Sequence, residues 1–478
     1  MFEPKKLHPI TIIFNILKQL KDIIFPFLAV IVLGGSASNL GFYYKIGIVC
    51  FIVLTIVGGI FSWFFFTYHL HSRELRIEHG IFVKKKRYIP FERIQSIDFT
   101  EGILHRPFGL VKVKIETAGG VSEAEAVLTA ISKEHAEQLR EYINKHKNRL
   151  NNSGVLEDVQ EEEIRQELYK ISNKELLLLA TTSGGVGVVF SAIIAAVSQF
   201  DDIIPYKKIF QEFQHFVANS VAIVAVLVFV IFFILWIVSL LMTMLKYANF
   251  TVAKLGNDLV ITRGLLEKRQ ITIPIQRIQA VRITENMMRQ PLHLATVHLE
   301  SAGGSLTDNE ASSVVVLPII KKDKIKKIVE AVLPDYQVAA DLHSPPKVAV
   351  WRYIFRNSWV ALPVMAASLY FFHTWGWISA CLMVILPAWG YFNYRAAGWH
   401  LAEKQLTLSF RHLAKTTLIM KKNRIQTVDY KVGFWQKKAN LASLHAIVAS
   451  GIGGSGGSVS DLKIEDVKKV YSWYSYSK

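Results

Sequence analysis

The sequence predicts an α+β membrane protein: six transmembrane helices in three hairpins, each hairpin followed by a small antiparallel β sandwich or barrel with a C-terminal helix. Three observations carry that prediction. Apolar residues gather in long uncharged runs, such as residues 46–67 and 218–245. An Arg-Ile-Gln segment occurs three times in matching surroundings. Near each copy, apolar and polar residues alternate at period two.

The helices come first. The 478 residues are 51% hydrophobic, with a mean hydropathy of +0.29. A helix needs about 20 apolar residues to cross roughly 30 Å of hydrocarbon. Spans are expected at residues 23–39 and 45–68, 174–197 and 216–245, and 358–373 and 375–394. Within each pair the connecting loop is poor in cations. The opposite ends carry Lys5, Lys6, Lys18 and Lys21, then Arg73, Arg76 and Lys246, then Arg352, Arg356 and Arg395. Cations favour the cytoplasmic side. This asymmetry predicts a multi-pass protein of the cell membrane with both termini and all large loops cytoplasmic. Lys18, Lys21 and Asp22 break the first apolar stretch, so it reads as retained and not as a cleaved signal. Residues 10–21 and 351–359 mix aromatic or aliphatic residues with cations, a pattern suited to headgroup depth.

The repeat fixes the rest. The first copy reads Pro90-Phe91-Glu92-Arg93-Ile94-Gln95 and the second Pro274-Ile275-Gln276-Arg277-Ile278-Gln279. The third reads Lys422-Asn423-Arg424-Ile425-Gln426. Ala118-Gly119-Gly120 and Ala302-Gly303-Gly304 follow their arginines by 25 to 27 residues, and Ser450-Gly451 follows by 26 and 27. Pro107 and Pro291 sit 14 residues after the arginine, and Leu110, Leu294 and Leu441 sit 17 after it. Residues 111–116, 297–300 and 406–410 alternate as strands do, and turn residues separate such runs. Residues 133–147, 321–333 and 462–474 have helical apolar spacing and close the three blocks.

The expected organisation is an interfacial helix and hairpin at 1–67, a β-domain at 68–150, an acidic linker at 151–173, a second hairpin at 174–246 and a second β-domain at 247–335. A linker with the third hairpin (336–393) and a third β-domain (394–478) complete it. Helix pairs, the Arg-Ile-Gln strand and the Ala-Gly-Gly hairpin together resemble the bacterial pleckstrin-homology-like (PH-like) domain of the YdbS/YdbT type, with three units and a His8-Pro9 entry segment. The resemblance covers essentially the whole chain. It implies a PH-like fold for each block, a smaller YdbS-like membrane protein as partner, and a role in envelope stress or defence. The third copy departs from it, with Lys438 at the proline position and a glycine-rich loop from Gly451 to Gly457.

Motifs for chemistry are weak. Gly451-x-Gly453-x-x-Gly456 matches a dinucleotide fingerprint in letters, but no βαβ context surrounds it, so a hairpin turn is expected. His69, His71 and His79 lack the spacing of a metal site, and Cys50 and Cys381 lie singly in apolar runs. The acidic residues at 157–167 read as a solvated linker. No catalytic, cofactor or metal residue is assigned. A net charge of +17 without an aromatic-basic RNA motif points to anionic lipid, not nucleic acid. The third block has 14 Lys+Arg against 5 Asp+Glu, and the first has 14 against 11. Expected lipid contacts are Lys84, Lys85, Lys86 and Arg87, together with Lys421, Lys422, Lys437 and Lys438. The nine residues of the three Arg-Ile-Gln copies are expected to be structural or to bind a partner. The leading functional reading is a non-enzymatic membrane scaffold without a small-molecule substrate. The alternatives are a transporter or flippase-like protein working through the hairpins, and an envelope-modifying enzyme.

Overall fold

Strands form where β-branched and aliphatic residues alternate, and the closing helices form where that period changes. The computed structural model describes residues 3–17, 19, 41–71, 73–81, 83–117, 126–151, 166–185, 187, 190–191, 221–301, 313–338, 341–450 and 454–475. The first domain holds β1 (Lys5–Lys6), β2 (Thr67–His71), β3 (Glu74–His79) and β4 (Lys85–Pro90) in one antiparallel sheet, then β5 (Ile94–Glu101), β6 (Leu110–Thr117) and β7 (Ala126–Ser132) in another. The second has β8 (Gln166–Lys170), β9 (Thr251–Leu255), β10 (Asp258–Arg263) and β11 (Lys268–Pro274), then β12 (Ile278–Glu285), β13 (Leu294–Ser301) and β14 (Ser313–Lys321). The third has β15 (Gly398–Leu401), β16 (Gln405–Arg411) and β17 (Lys415–Lys421), then β18 (Ile425–Lys431), β19 (Leu441–Val448) and β20 (Ser455–Lys463). Helices Lys133–Asn151, Lys322–Val332 and Ile464–Ser475 close the domains.

The sheets do not respect the domains. β5 pairs with β11, which joins the second sheet of the first domain to the first sheet of the second in one seven-stranded sheet. β12 pairs with β17 and makes a six-stranded sheet across the second and third domains. The register is the same at both seams. Glu101 faces Lys268, and Glu285 faces Lys415. In each pair the glutamate lies eight residues after its motif arginine and the lysine nine before the next. The cores interlock too. Ile419 of β17 lies in the second domain's core, and Ala280 of β12 lies in the third's.

Each domain also begins earlier than expected. β1 pairs with β2, and β8 pairs with β9. His343 and Trp399 exchange backbone hydrogen bonds of 2.8 and 3.0 Å. The chain therefore enters each sheet before its helical excursion and re-enters it afterwards. Residues 166–170, expected within the acidic linker, are strand; residues 152–165 of that linker lie outside the described residues.

The expectation of six transmembrane helices in three hairpins does not stand. Among the described residues one helix, Val226–Tyr247, is long and apolar enough to span, with 22 residues at a hydropathy of 3.0 and only 11% of its apolar window buried. The apolar helix Ile52–Phe64 is shorter. At the expected third pair, the helices Ala361–Phe372 and Leu382–Ala396 have 12 and 15 residues. At 1.5 Å per residue they reach roughly 18 and 22 Å. Pro387 interrupts the hydrogen-bond ladder of the second, and a 3-10 stretch, His373–Cys381, separates the two. The first expected span and residues 192–220 lie outside the described residues.

Candidate functional site

The Arg-Ile-Gln copies sit at the corner where one sheet hands over to the next. Single 3-10 turns, Phe91–Arg93, Ile275–Arg277 and Lys422–Arg424, precede β5, β12 and β18. Ile94, Ile278 and Ile425 are buried in their cores. Arg277 and Arg424 point the other way, into the preceding domain. Arg277 donates to Gln95 Oε1. Arg424 donates to the Gln276 carbonyl at 2.6 Å. Burial draws the Arg277 pKa down, while Glu116 and Asp98 pull it back up. Gln279 is buried and donates to the Arg277 carbonyl. The structure thus uses the motif at the two seams. Arg93 and Gln426, at the outer ends, are exposed, and their side chains have no partner among the described residues.

Polar groups reinforce the seams. Asp98 accepts the Thr272 backbone N–H at 3.0 Å. Burial pushes its pKa up to about 7; Glu116 adds to the rise, and the Thr272 bond, Lys114 and Arg269 oppose it. Glu285 contacts Lys322 at 2.5 Å and Lys415 at 3.9 Å. Glu300 accepts from Arg282 at 2.6 Å and from Ser450 of the third domain at 2.8 Å, while Arg282 also donates to Ser455. The glycine-rich segment is thus held at both flanks by one ion pair of the second domain. Gly454 has φ +69°, and a Cβ on Gly457 would strike the Phe410 ring. These glycines serve a turn and close sheet packing. Gly451 and Gly453 lie outside the described residues, as do both Ala-Gly-Gly turns.

A second repeated feature escaped the sequence reading. Ten and eleven residues after each motif arginine stand two large exposed apolar residues: Ile103-Leu104, Met287-Met288 and Phe434-Trp435. Next comes a polar anchor at twelve: His105, Arg289 or Gln436. Each anchor grips the helix that precedes the apolar segment of its own domain. His105 stacks on Phe14 at 4.3 Å. Arg289 donates to Thr182 Oγ1 at 3.0 Å and to the Leu179 carbonyl in the helix Asn173–Thr182. Gln436 donates to Asp461 at 2.9 Å, and Asp461 takes Arg352 at 2.8 Å and Arg356 at 3.0 Å from the helix Ala349–Ser358. Asp461 is 0% exposed. A buried carboxylate needs that many donors to offset its lost hydration.

The apolar pairs lie at the helix end of the domains. Leu265 and Gly264 bond back to the Leu245 and Ala248 carbonyls at the end of the long apolar helix Val221–Tyr247. Arg106 of the first domain, two residues beyond Leu104, donates to the Leu265 carbonyl. The result is a collar of exposed apolar side chains at the helix end of the β-domains.

Of the expected lipid contacts, Lys437 and Lys438 lie in this collar, on the short helix Phe434–Lys438. Lys438 sits 4.9 and 5.2 Å from the Phe434 and Trp435 ring centroids. Lys84, Lys85, Lys86 and Arg87 line the exposed edge of the first sheet, at or beside β4. Lys421 is engaged elsewhere, paired with Asp335 at 2.7 Å across the second seam. Lys422 packs on Trp473. Arg352 and Arg356, expected at headgroups, both pair with Asp461. Among the described residues no group of three His, Cys, Asp or Glu could hold a metal.

Sheets shared between successive β-domains, gripped to apolar helices through a collar, define a class: membrane proteins built of tandem PH-like domains. The chain belongs to the bacterial PH domain family, bPH_2, whose model matches residues 14–147, 192–335 and 359–478. It is similar to the UPF0699 transmembrane protein YdbT of Bacillus subtilis (strain 168), 38% identical over 490 residues, covering 100% of this chain and 99% of that protein. It is also similar to the UPF0699 transmembrane protein YdbS of the same organism, 35% identical over 78 residues, which is 16% of this chain and 46% of that protein. The resemblance read from the three Arg-Ile-Gln copies is therefore correct, and the chain is a membrane protein.

Proposed function

We propose that this chain is a non-enzymatic membrane scaffold whose PH-like domains and termini face the cytoplasm and present one rigid surface to the inner leaflet. The observation that carries this reading is the collar. It repeats in all three domains, it is tied to the helices by polar anchors that are buried in the second and third domains, and in the third domain it combines Phe434 and Trp435 (70% and 68% exposed) with Lys437 and Lys438. Aromatic rings beside lysines suit the headgroup layer, and each near-surface cation contributes about 1 kcal/mol toward anionic lipid. A smaller YdbS-like protein as partner, and service in envelope stress or defence, are the further parts of this reading.

Reconstitution of the full chain in nanodiscs tests it. Hydrogen exchange at residues 433–440 is expected to slow when phosphatidylglycerol replaces part of the phosphatidylcholine. The change should vanish in Lys437→Gln/Lys438→Gln. Equal exchange in both lipids would remove the leaflet from the account.

A further inference from the structure

The seam motif is incomplete at both ends of the array. Among the described residues β4 pairs only with β3, and β18 pairs only with β19. These strands are the first-domain counterpart of β11 and β17, and the third-domain counterpart of β5 and β12, by their spacing from the motif arginines. In the interior those strands are joined; at the ends, among the described residues, they are open. Tyr88 of β4 holds the position of Ile419, which fills the neighbouring core, yet it is 51% exposed. Tyr430 of β18 holds the position of Ile283, which packs in the second domain's core, yet it is 39% exposed.

We infer that β18 of one copy of this chain pairs with β4 of a second copy, in the register of the internal seams, so that chains join head to tail.

Applying the observed register sets Asp429 opposite Arg87, Val428 opposite Tyr88 and Thr427 opposite Ile89. Asp429 also stands where Asp98 accepts a seam N–H. The first of these matches is a cross-strand ion pair and the second an aromatic–β-branched pair, both stabilising types. The polar staple completes itself as well. Arg93 would reach the neighbour's Gln426 as Arg277 reaches Gln95. Both side chains are exposed and without a partner among the described residues.

Two positions are matched less well. Lys431 meets Lys85, and Val432 stands where Glu101 and Glu285 face a lysine. The outer seam is therefore weaker than the inner ones, which makes assembly reversible and tunable by charge. Because the two surfaces differ, contacts of this kind propagate into rings or chains and not into a closed symmetric pair.

The test uses the full chain in detergent, with Cys50 and Cys381 changed to Ala. Lys85→Cys and Lys431→Cys variants, mixed under mild oxidation, are expected to form a disulfide-linked dimer that neither variant forms alone. Without cross-linking, mass photometry follows association. Arg87→Asp and Asp429→Arg are each expected to weaken it about tenfold, and their combination to restore it. Lys431→Glu is expected to strengthen it. Three results would overturn the inference: Lys85→Cys cross-linking to itself, charge reversals without effect, or a monomer at every concentration. Capture of a smaller bacterial PH-domain protein on β4, with no self-association, would assign the edge to that partner instead. None of these readouts depends on contact with the leaflet.

Discussion

Two carboxylates, Asp98 and Asp461, show how single residues hold this molecule together. Asp98 is a seam acceptor whose pKa is raised to about 7 from an ordinary 3.8. Between those values the folded chain holds a proton that the unfolded chain has released. Stability therefore falls as pH rises through that window. Asp98→Asn keeps an acceptor for the Thr272 N–H and cannot ionise. It should stabilise the protein by about 1–2 kcal/mol at pH 8 and by little at pH 4, measured as the shift in denaturation midpoint at the two pH values. Asp461 is different, because Arg352, Arg356 and Gln436 all point at it. Removing the carboxylate leaves the buried Gln436 donor without its acceptor and the two half-exposed arginines to water, and Asp461→Ala should cost about 1–3 kcal/mol. Its φ of +57° adds strain for alanine, so Asp461→Asn, which tolerates that conformation, is the control for charge alone. If the asparagine variant unfolds at the same midpoint as the native chain, the two arginines do not depend on that charge. Neither role was legible in the sequence, where Asp461 was one acid among many and Arg352 and Arg356 read as headgroup cations.

At the scale of elements, local pattern gave the strands and closing helices, because their apolar periods are written within a few residues. Residues 111–116 and 297–300 fall in β6 and β13 as alternation predicts. Residues 406–410 fall in β16, which precedes its domain's motif arginine whereas β6 and β13 follow theirs, since alternation marks a strand without saying which place in the domain it takes. The seams were hidden because β5–β11 and β12–β17 join residues more than a hundred positions apart. The clue lay in the offsets: a glutamate eight after one arginine and a lysine nine before the next. The third helix pair was misread because hydropathy ignores what Pro387 does to a helix and does not mark the 3-10 stretch His373–Cys381. The seam also predicts a transferred effect. Ile419 belongs to β17 but packs in the second domain. Ile419→Ala should cost about 2–4 kcal/mol and should speed hydrogen exchange in β13, not only in β16. Acceleration confined to the third domain would mean that the cores are separate.

For the whole molecule, composition and charge pointed correctly to a membrane protein, and the repeat pointed correctly to its family. What sequence could not supply was that three domains share sheets and that each begins before its helices. That arrangement couples helix position to the β-array: moving one apolar helix must move a sheet that two domains own. The array is one continuous β structure. Hydrogen exchange of the full chain in detergent tests it most directly, read at Thr417, Leu418, Ile419 and Met420 of β17. These amides are expected to be protected as strongly as those of β13, whose strand lies wholly inside one domain. Exchange at β17 as fast as in the exposed edge strand β4 would mean that the domains are beads on a string.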